Sequence, residues 1–121
     1  MSEVTVMLGL HDNTFREGIQ MYLDNMGYRH ASPGPEEIVG EARRGGYTGI
    51  LMDANYGKHG SPDTSIAERV CEARGAAVFL AICGREEAVE KLQKAGIPCI
   101  LKRPSDRKPI YDFFDGLGPG V

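Results

Sequence analysis

Five short apolar runs alternate along the chain with five stretches in which apolar residues recur every third or fourth position. Unbroken runs of this length read as strands covered on both faces, and the three-and-four recurrence reads as amphipathic helices. The runs are Val4 to Leu10, a shorter and weaker one at Tyr28 to Ala31 that suits a sheet edge, Gly49 to Asp53, Ala77 to Cys83, and Ile97 to Leu101. The first helix is predicted to start near Thr14, where Thr14-x-x-Glu17 has the form of a capping box. Phe15, Ile19, Tyr22, Leu23 and Met26 give it one apolar face, and Gly27 stops it. Pro35 suits the first position of a second helix, with Ile38, Val39 and Ala42 inward and Gly45-Gly46 at its end. A third helix is predicted from about Thr64 to Arg74, with Ile66, Ala67, Val70 and Cys71 inward. A fourth runs from about Glu86 to Lys94 with Ala88, Val89, Leu92 and Ala95 apolar, and Gly96 ends it. A fifth, Asp106 to Phe114, carries Ile110, Phe113 and Phe114 on one face. Only one of two adjacent phenylalanines on a helix can point fully inward.

Strands alternating with helices imply a parallel sheet, right-handed crossovers and helices on both faces. Five strands in a chain of 121 residues fit one α/β domain over 1–117. Its expected form is a flavodoxin-like, doubly wound sheet of strand order 2-1-3-4-5. Residues 118–121 read as a flexible tail or the start of a linker.

Composition narrows the classes of function. Apolar residues make up 41% and charged residues 26%, which is ordinary globular usage. A net charge of −3 offers no basic field for nucleic acid. No apolar run approaches the roughly 18 residues of a membrane span. Met1-Ser-Glu-Val has no basic region leading an apolar stretch, so no signal peptide is read there. The cysteines, Cys71, Cys83 and Cys99, lack C-x-x-C spacing and suggest reduced thiols in a cytoplasmic protein, with neither a disulfide framework nor a zinc site.

In an open parallel sheet the ligand crevice lies at the carboxyl ends of the strands. Here that rule gathers Leu10-His11-Asp12, Asp53 with Asn55, Cys83-Gly84 and Lys102-Arg103-Pro104. No glycine-rich phosphate motif and no nucleophile triad occurs among them. A carboxylate facing a cation suits a phosphoryl group or a hard cation. His59, in the loop after Asp53, could join His11 and Asp53 around a transition metal.

These segments together resemble a response-regulator receiver domain of two-component signalling, in a divergent form. The resemblance runs from Val4 to Leu117. It rests on Asp12-Asn-Thr-Phe-Arg16-Glu17-Gly18, Ile50-Leu-Met-Asp53, Ile82-Cys-Gly-Arg-Glu-Glu87, Ala95-Gly96 and Ile100-Leu-Lys-Arg-Pro104. It implies a signalling domain rather than an enzyme, whose partner is a sensor histidine kinase or another signalling protein. It also implies pairing, as in a homodimer, through the fourth helix, fifth strand and fifth helix. Asp53 falls at the phosphoacceptor position. Cys83, Gly84, and Lys102 or Arg103 fall where phosphoryl oxygens are contacted. The register from Ala95-Gly96 to Pro104 favours Arg103, and the peptide before Pro104 is expected to be cis.

Mg²⁺ is the implied cofactor, with Asp12, Asp53 and the carbonyl of Asn55 as its candidate ligands. The acidic pair that would hold it is missing: with Arg16-Glu17-Gly18 fixing the register Leu10 and His11 stand at those positions, and a one-residue shift to His11-Asp12 recovers one carboxylate at best. Cys83 replaces the hydroxyl residue and Ile100 the aromatic switch residue. The expectation is therefore a divergent phosphorelay receiver whose conformation is set by partners or dimerisation, with phosphorylation weak or absent. The alternatives are an active phosphoacceptor with Asp12 standing in as metal ligand, and a small flavodoxin-like ligand-binding protein.

Overall fold

The computed structural model describes residues 3–58, 60–103 and 105–118. Its elements run β1 (Thr5–Gly9), α1 (Asn13–Asn25), β2 (Arg29–Ala31), α2 (Ile38–Arg44), β3 (Gly49–Asp53), α3 (Ser65–Ala73), β4 (Val78–Cys83), α4 (Glu86–Lys94), β5 (Cys99–Leu101) and α5 (Lys108–Asp115). The strands form one parallel sheet in the order β2-β1-β3-β4-β5. This is the flavodoxin-like architecture expected from the alternation of patterns.

Both faces of the sheet are covered. Along β3, Ile50 and Met52 point to one core and Leu51 to the other, as the two-residue period of a strand requires. Along β4, Phe79, Ala81 and Cys83 join the first core, and Leu80 and Ile82 the second. The first is closed by Ile38, Val39 and Ala42 of α2, by Ala67, Val70 and Cys71 of α3, and by Leu92 of α4. The second is closed by Phe15, Ile19 and Leu23 of α1 and by Ile110 and Phe114 of α5. Of the two adjacent phenylalanines, Phe114 is fully buried and Phe113 only partly.

Helix ends show local chemistry at work. Gly27 and Gly96 both take positive φ. After α1 the Gly27 amide donates to Asp24 O and the Tyr28 amide to Leu23 O. After α4 the Gly96 and Ile97 amides donate to Gln93 O and Leu92 O in the same pattern. Each is a Schellman closure of the last turn.

Two helix starts differ from expectation. α1 is capped by Asp12, whose Oδ1 accepts the Phe15 amide at 2.8 Å. The capping box at Thr14 is not used, because the chain turns helical two residues earlier. α2 begins at Ile38 rather than at Pro35. The Gly34 carbonyl takes the amides of both Glu37 and Ile38, so 35–37 form a turn ahead of the helix.

At the end of the sheet away from Asp53, Leu117 is buried with its side chain against Gly49, where a β-carbon would approach Leu117 Cδ1 to 2.5 Å. The expected tail beyond it falls largely on 119–121, outside the described residues. Among the described residues no helix is long and apolar enough to cross a membrane. Cys71, Cys83 and Cys99 are free and buried.

Candidate functional site at the carboxyl ends of the strands

The pairing of β4 with β3 and β5 continues past the strand ends and shapes the crevice. Beyond β3 the Ala54 amide donates to Ile82 O at 2.8 Å, and beyond β5 the Lys102 amide donates to Cys83 O at 2.7 Å. The result is a cleft of about 650 Å³ lined by residues from four strand ends, with Asp53, His11, Cys83 and Lys102 among them. Thr64, Ser61 and Arg85 complete the wall on the side of α3 and α4.

Asp53 closes β3 and is only 6% exposed. Its Oδ2 accepts the backbone N–H of His11 at 2.7 Å. That bond ties the end of β1 to the end of β3 across the mouth. The imidazole of His11 reaches further, with Nε2 3.1 Å from the carbonyl oxygen of Asn55. A carbonyl only accepts, so Nε2 carries the proton in this contact. The same oxygen also accepts the Lys58 amide at 2.8 Å. Asn55 is anchored besides by its own Nδ2, which donates to Ser61 O at 3.2 Å.

The loop after Asp53 is fixed by Tyr56. Its ring lies 5.4 Å from that of His11, and its hydroxyl donates to Pro33 O at 2.7 Å. Burial pushes the Tyr56 phenol above its ordinary value of 10.0. Gly57 follows with φ of 81° and no room for a side chain, since a β-carbon would lie 2.7 Å from Ile66 Cδ1 and 2.8 Å from Pro35 Cβ. This glycine is required both by its backbone conformation and by close packing.

Asp12 lines the cleft as the cap of α1. The Phe15 amide holds its carboxyl below the ordinary 3.8, and the positive charges of Lys102 and Arg107 add to the effect. The ammonium of Lys102 stands 4.2 Å from the centre of the Phe15 ring, a cation–π contact at the rim. Arg103 is exposed, pairs with Asp106 in an isolated bridge and does not line the cleft. Lys102, rather than Arg103, thus lines the cleft that holds Asp53. Cys83 and Gly84 line the cleft. His59 and the peptide bond to Pro104 lie outside the described residues.

Sequence reasoning missed three parts of this site. The ring contact of His11 joins residues 44 apart in sequence, and no local pattern announces it. Thr64, 1% exposed, donates its hydroxyl to Glu68 Oε2 at 2.7 Å. Its place four residues before a glutamate at a helix start was the available signal. Arg85 was visible as the residue before α4.

Such a crevice suggests a hard divalent cation. Mg²⁺ asks for near-octahedral oxygen, usually from one or two carboxylates beside phosphate and water. At the two positions before Asp12 the chain offers Leu10, 2% exposed in the core, and the nitrogen-bearing His11. One oxygen of Asp53, one of Asp12 and the carbonyl of Asn55 already accept N–H groups. Among the described residues, no three His, Cys, Asp or Glu side chains gather as a metal site. These residues do not fit a hard divalent cation.

No family model matches the sequence, and no curated protein matches it. Solved structures do match the fold. The receiver domain of a sensor histidine kinase from Pseudomonas aeruginosa, with a magnesium ion coordinated in its active-site cleft, is 20% identical. It superposes with a TM-score of 0.72, covering 96% of this chain and 98% of that one. A CheY-like response regulator receiver domain from Methylobacillus flagellatus is 18% identical, with a TM-score of 0.68 over 97% of this chain and 100% of that one. A response regulator from Burkholderia pseudomallei with a phosphorylated aspartic acid, calcium ion and citrate is 17% identical, with a TM-score of 0.71 over 97% and 68%. The fold of the present chain is that of response-regulator receiver domains.

Proposed function

We propose that the chain is a receiver domain of two-component signalling that works through protein contact, with Asp53 at the phosphoacceptor position and no reliance on a bound metal. The observation that carries this reading is Asp53 itself. It sits at the carboxyl end of the central strand, in a cleft it shares with Lys102, and its carboxylate is engaged by the His11 amide. The likeness in fold to receivers, one with a phosphorylated aspartic acid and one with a magnesium ion in its cleft, supports the assignment of the cleft.

In this reading the partner is a sensor histidine kinase or another signalling protein, and the domain carries no chemistry of its own beyond accepting a phosphoryl group. Phosphoryl transfer needs positioning and charge neutralisation more than covalent help from the protein. Lys102 and Arg85 are the cations that line the cleft with Asp53, the Lys102 ammonium resting on the Phe15 ring. Cys83 supplies only a weak donor where a hydroxyl would bind an oxyanion, and the Thr64 hydroxyl is engaged with Glu68. Transfer to Asp53 is therefore slow, and the resting conformation is the one partners meet.

Incubation with acetyl phosphate, with and without Mg²⁺, followed by intact-mass measurement, tests this. The expected result is modification well short of one phosphoryl group per chain in both conditions. Stoichiometric modification in either condition, lost in Asp53→Asn, would overturn it.

A further inference from the structure

The misfit between this cleft and a divalent cation has a specific cause. Two oxygens that face the mouth from β3 and its following loop, Asp53 Oδ2 and Asn55 O, both receive hydrogen bonds from one residue, His11. A cation lying between a carboxylate and a carbonyl would draw these two oxygens together by coordinating both. His11 draws the same two together with N–H groups, one from its backbone at 2.7 Å and one from its ring at 3.1 Å. The carbonyl has nothing left to offer, because the Lys58 amide takes its other lone pair at 2.8 Å. The ring is held in place by Tyr56, which is itself pinned to Pro33.

We infer that His11 is a built-in replacement for a divalent cation, and that this residue determines the cleft's refusal of metal. The inference rests on the assignment of the cleft given above and deepens it. It names the position at which the hydrogen bonds to both oxygens originate. A carboxylate at position 11 would supply a hard oxygen in place of the ring, release the Asn55 carbonyl and lie close to both Asp53 and Asp12. Those are the ligand types that Mg²⁺ and Mn²⁺ select.

Two measurements on the full chain decide it. The first needs no variant. Long-range ¹⁵N–¹H correlation of the His11 ring at mildly alkaline pH is expected to show the Nε2-protonated tautomer, since only that form donates to the Asn55 carbonyl. A ring protonated at Nδ1 alone overturns the inference. The second is a Mn²⁺ titration followed by paramagnetic broadening of backbone amides. The wild type is expected to show no saturable broadening at Asp53 and Asn55, and His11→Asp to gain a saturable site at least about tenfold tighter. Where circular dichroism shows His11→Asp to be unfolded, His11→Asn takes its place, with a weaker gain expected. Saturable broadening at those amides in the wild type, or no gain in a folded variant, overturns the inference. The outcomes separate from those of the phosphorylation assay. Stoichiometric modification without any divalent cation would defeat the contact-driven reading and leave the role of His11 intact.

Discussion

At Asp12 one carboxylate serves both a helix and a cleft. Its Oδ1 takes the Phe15 amide, and the charge is favoured by that bond and by nearby Lys102 and Arg107. A carboxyl held below its ordinary value stabilises the fold above that value, and the contribution fades as pH falls through the lowered one. Asp12→Ala is thus expected to lower the melting temperature at neutral pH, and the difference from wild type should shrink as pH falls below the ordinary 3.8. Thermal unfolding by circular dichroism across that range checks it, and a difference that persists unchanged in strong acid would exclude the cap as its source. The sequence made Asp53 legible, because an apolar run that stops on a carboxylate stands out. It left the cap ambiguous, since Asp12 and Thr14 are both good capping residues two positions apart. Nothing local selected Lys102 over Arg103 as the cleft residue. That choice depends on how the chain leaves β5, where the Lys102 amide stays on the ladder and Arg103 turns out toward Asp106.

Among the elements, α5 is the clearest case of a helix held by its buried face. Ile110 and Phe114 point into the core shared with α1, and Tyr22 of α1 stacks on Tyr111 at a centroid distance of 4.2 Å. Phe114 is fully buried in the core shared with α1, so Phe114→Ala leaves a cavity there. Losses of this kind cost about 3–5 kcal/mol. Urea unfolding should show a drop of that size, and a loss below about 1 kcal/mol would mean the core had closed over the gap. The apolar periodicity made the helices legible, but their first turns were less so. At α2 the proline signal pointed to Pro35, whereas the Gly34 carbonyl sets up a turn that delays the helix to Ile38. The short outer strands β2 and β5 are three residues each. Their expected longer spans came from apolar residues that continue beyond the paired stretch, as at Ile97, which packs against the core without joining the ladder.

For the whole molecule, the alternation of patterns made the strand order legible, because parallel strands with right-handed crossovers leave few topologies. What it could not supply were contacts between loops distant in sequence, on which the cleft depends. Three tyrosines spread over the molecule give a global prediction. A hydrogen bond to Asp115 raises Tyr22 to about 12, burial raises Tyr47 to about 12, and burial raises Tyr56 as well. Phenols whose folded values lie above the ordinary 10.0 support the fold below that pH and lose their contribution as pH climbs toward the raised values. Stability should therefore fall between about pH 10 and 12. Spectrophotometric titration should show these phenols ionising late, together with unfolding; a full set of phenolates formed near pH 10 with the fold intact would refute it. The two hydrogen bonds from His11 also set a population. At about 1 kcal/mol net each, they would hold the mouth open in only a few per cent of molecules. Any ligand that needs Asp53 and the Asn55 carbonyl together would then bind about thirtyfold more weakly than its contacts alone imply. A partner that drew the loop after Asp53 away from His11 would restore that affinity without touching the ligand.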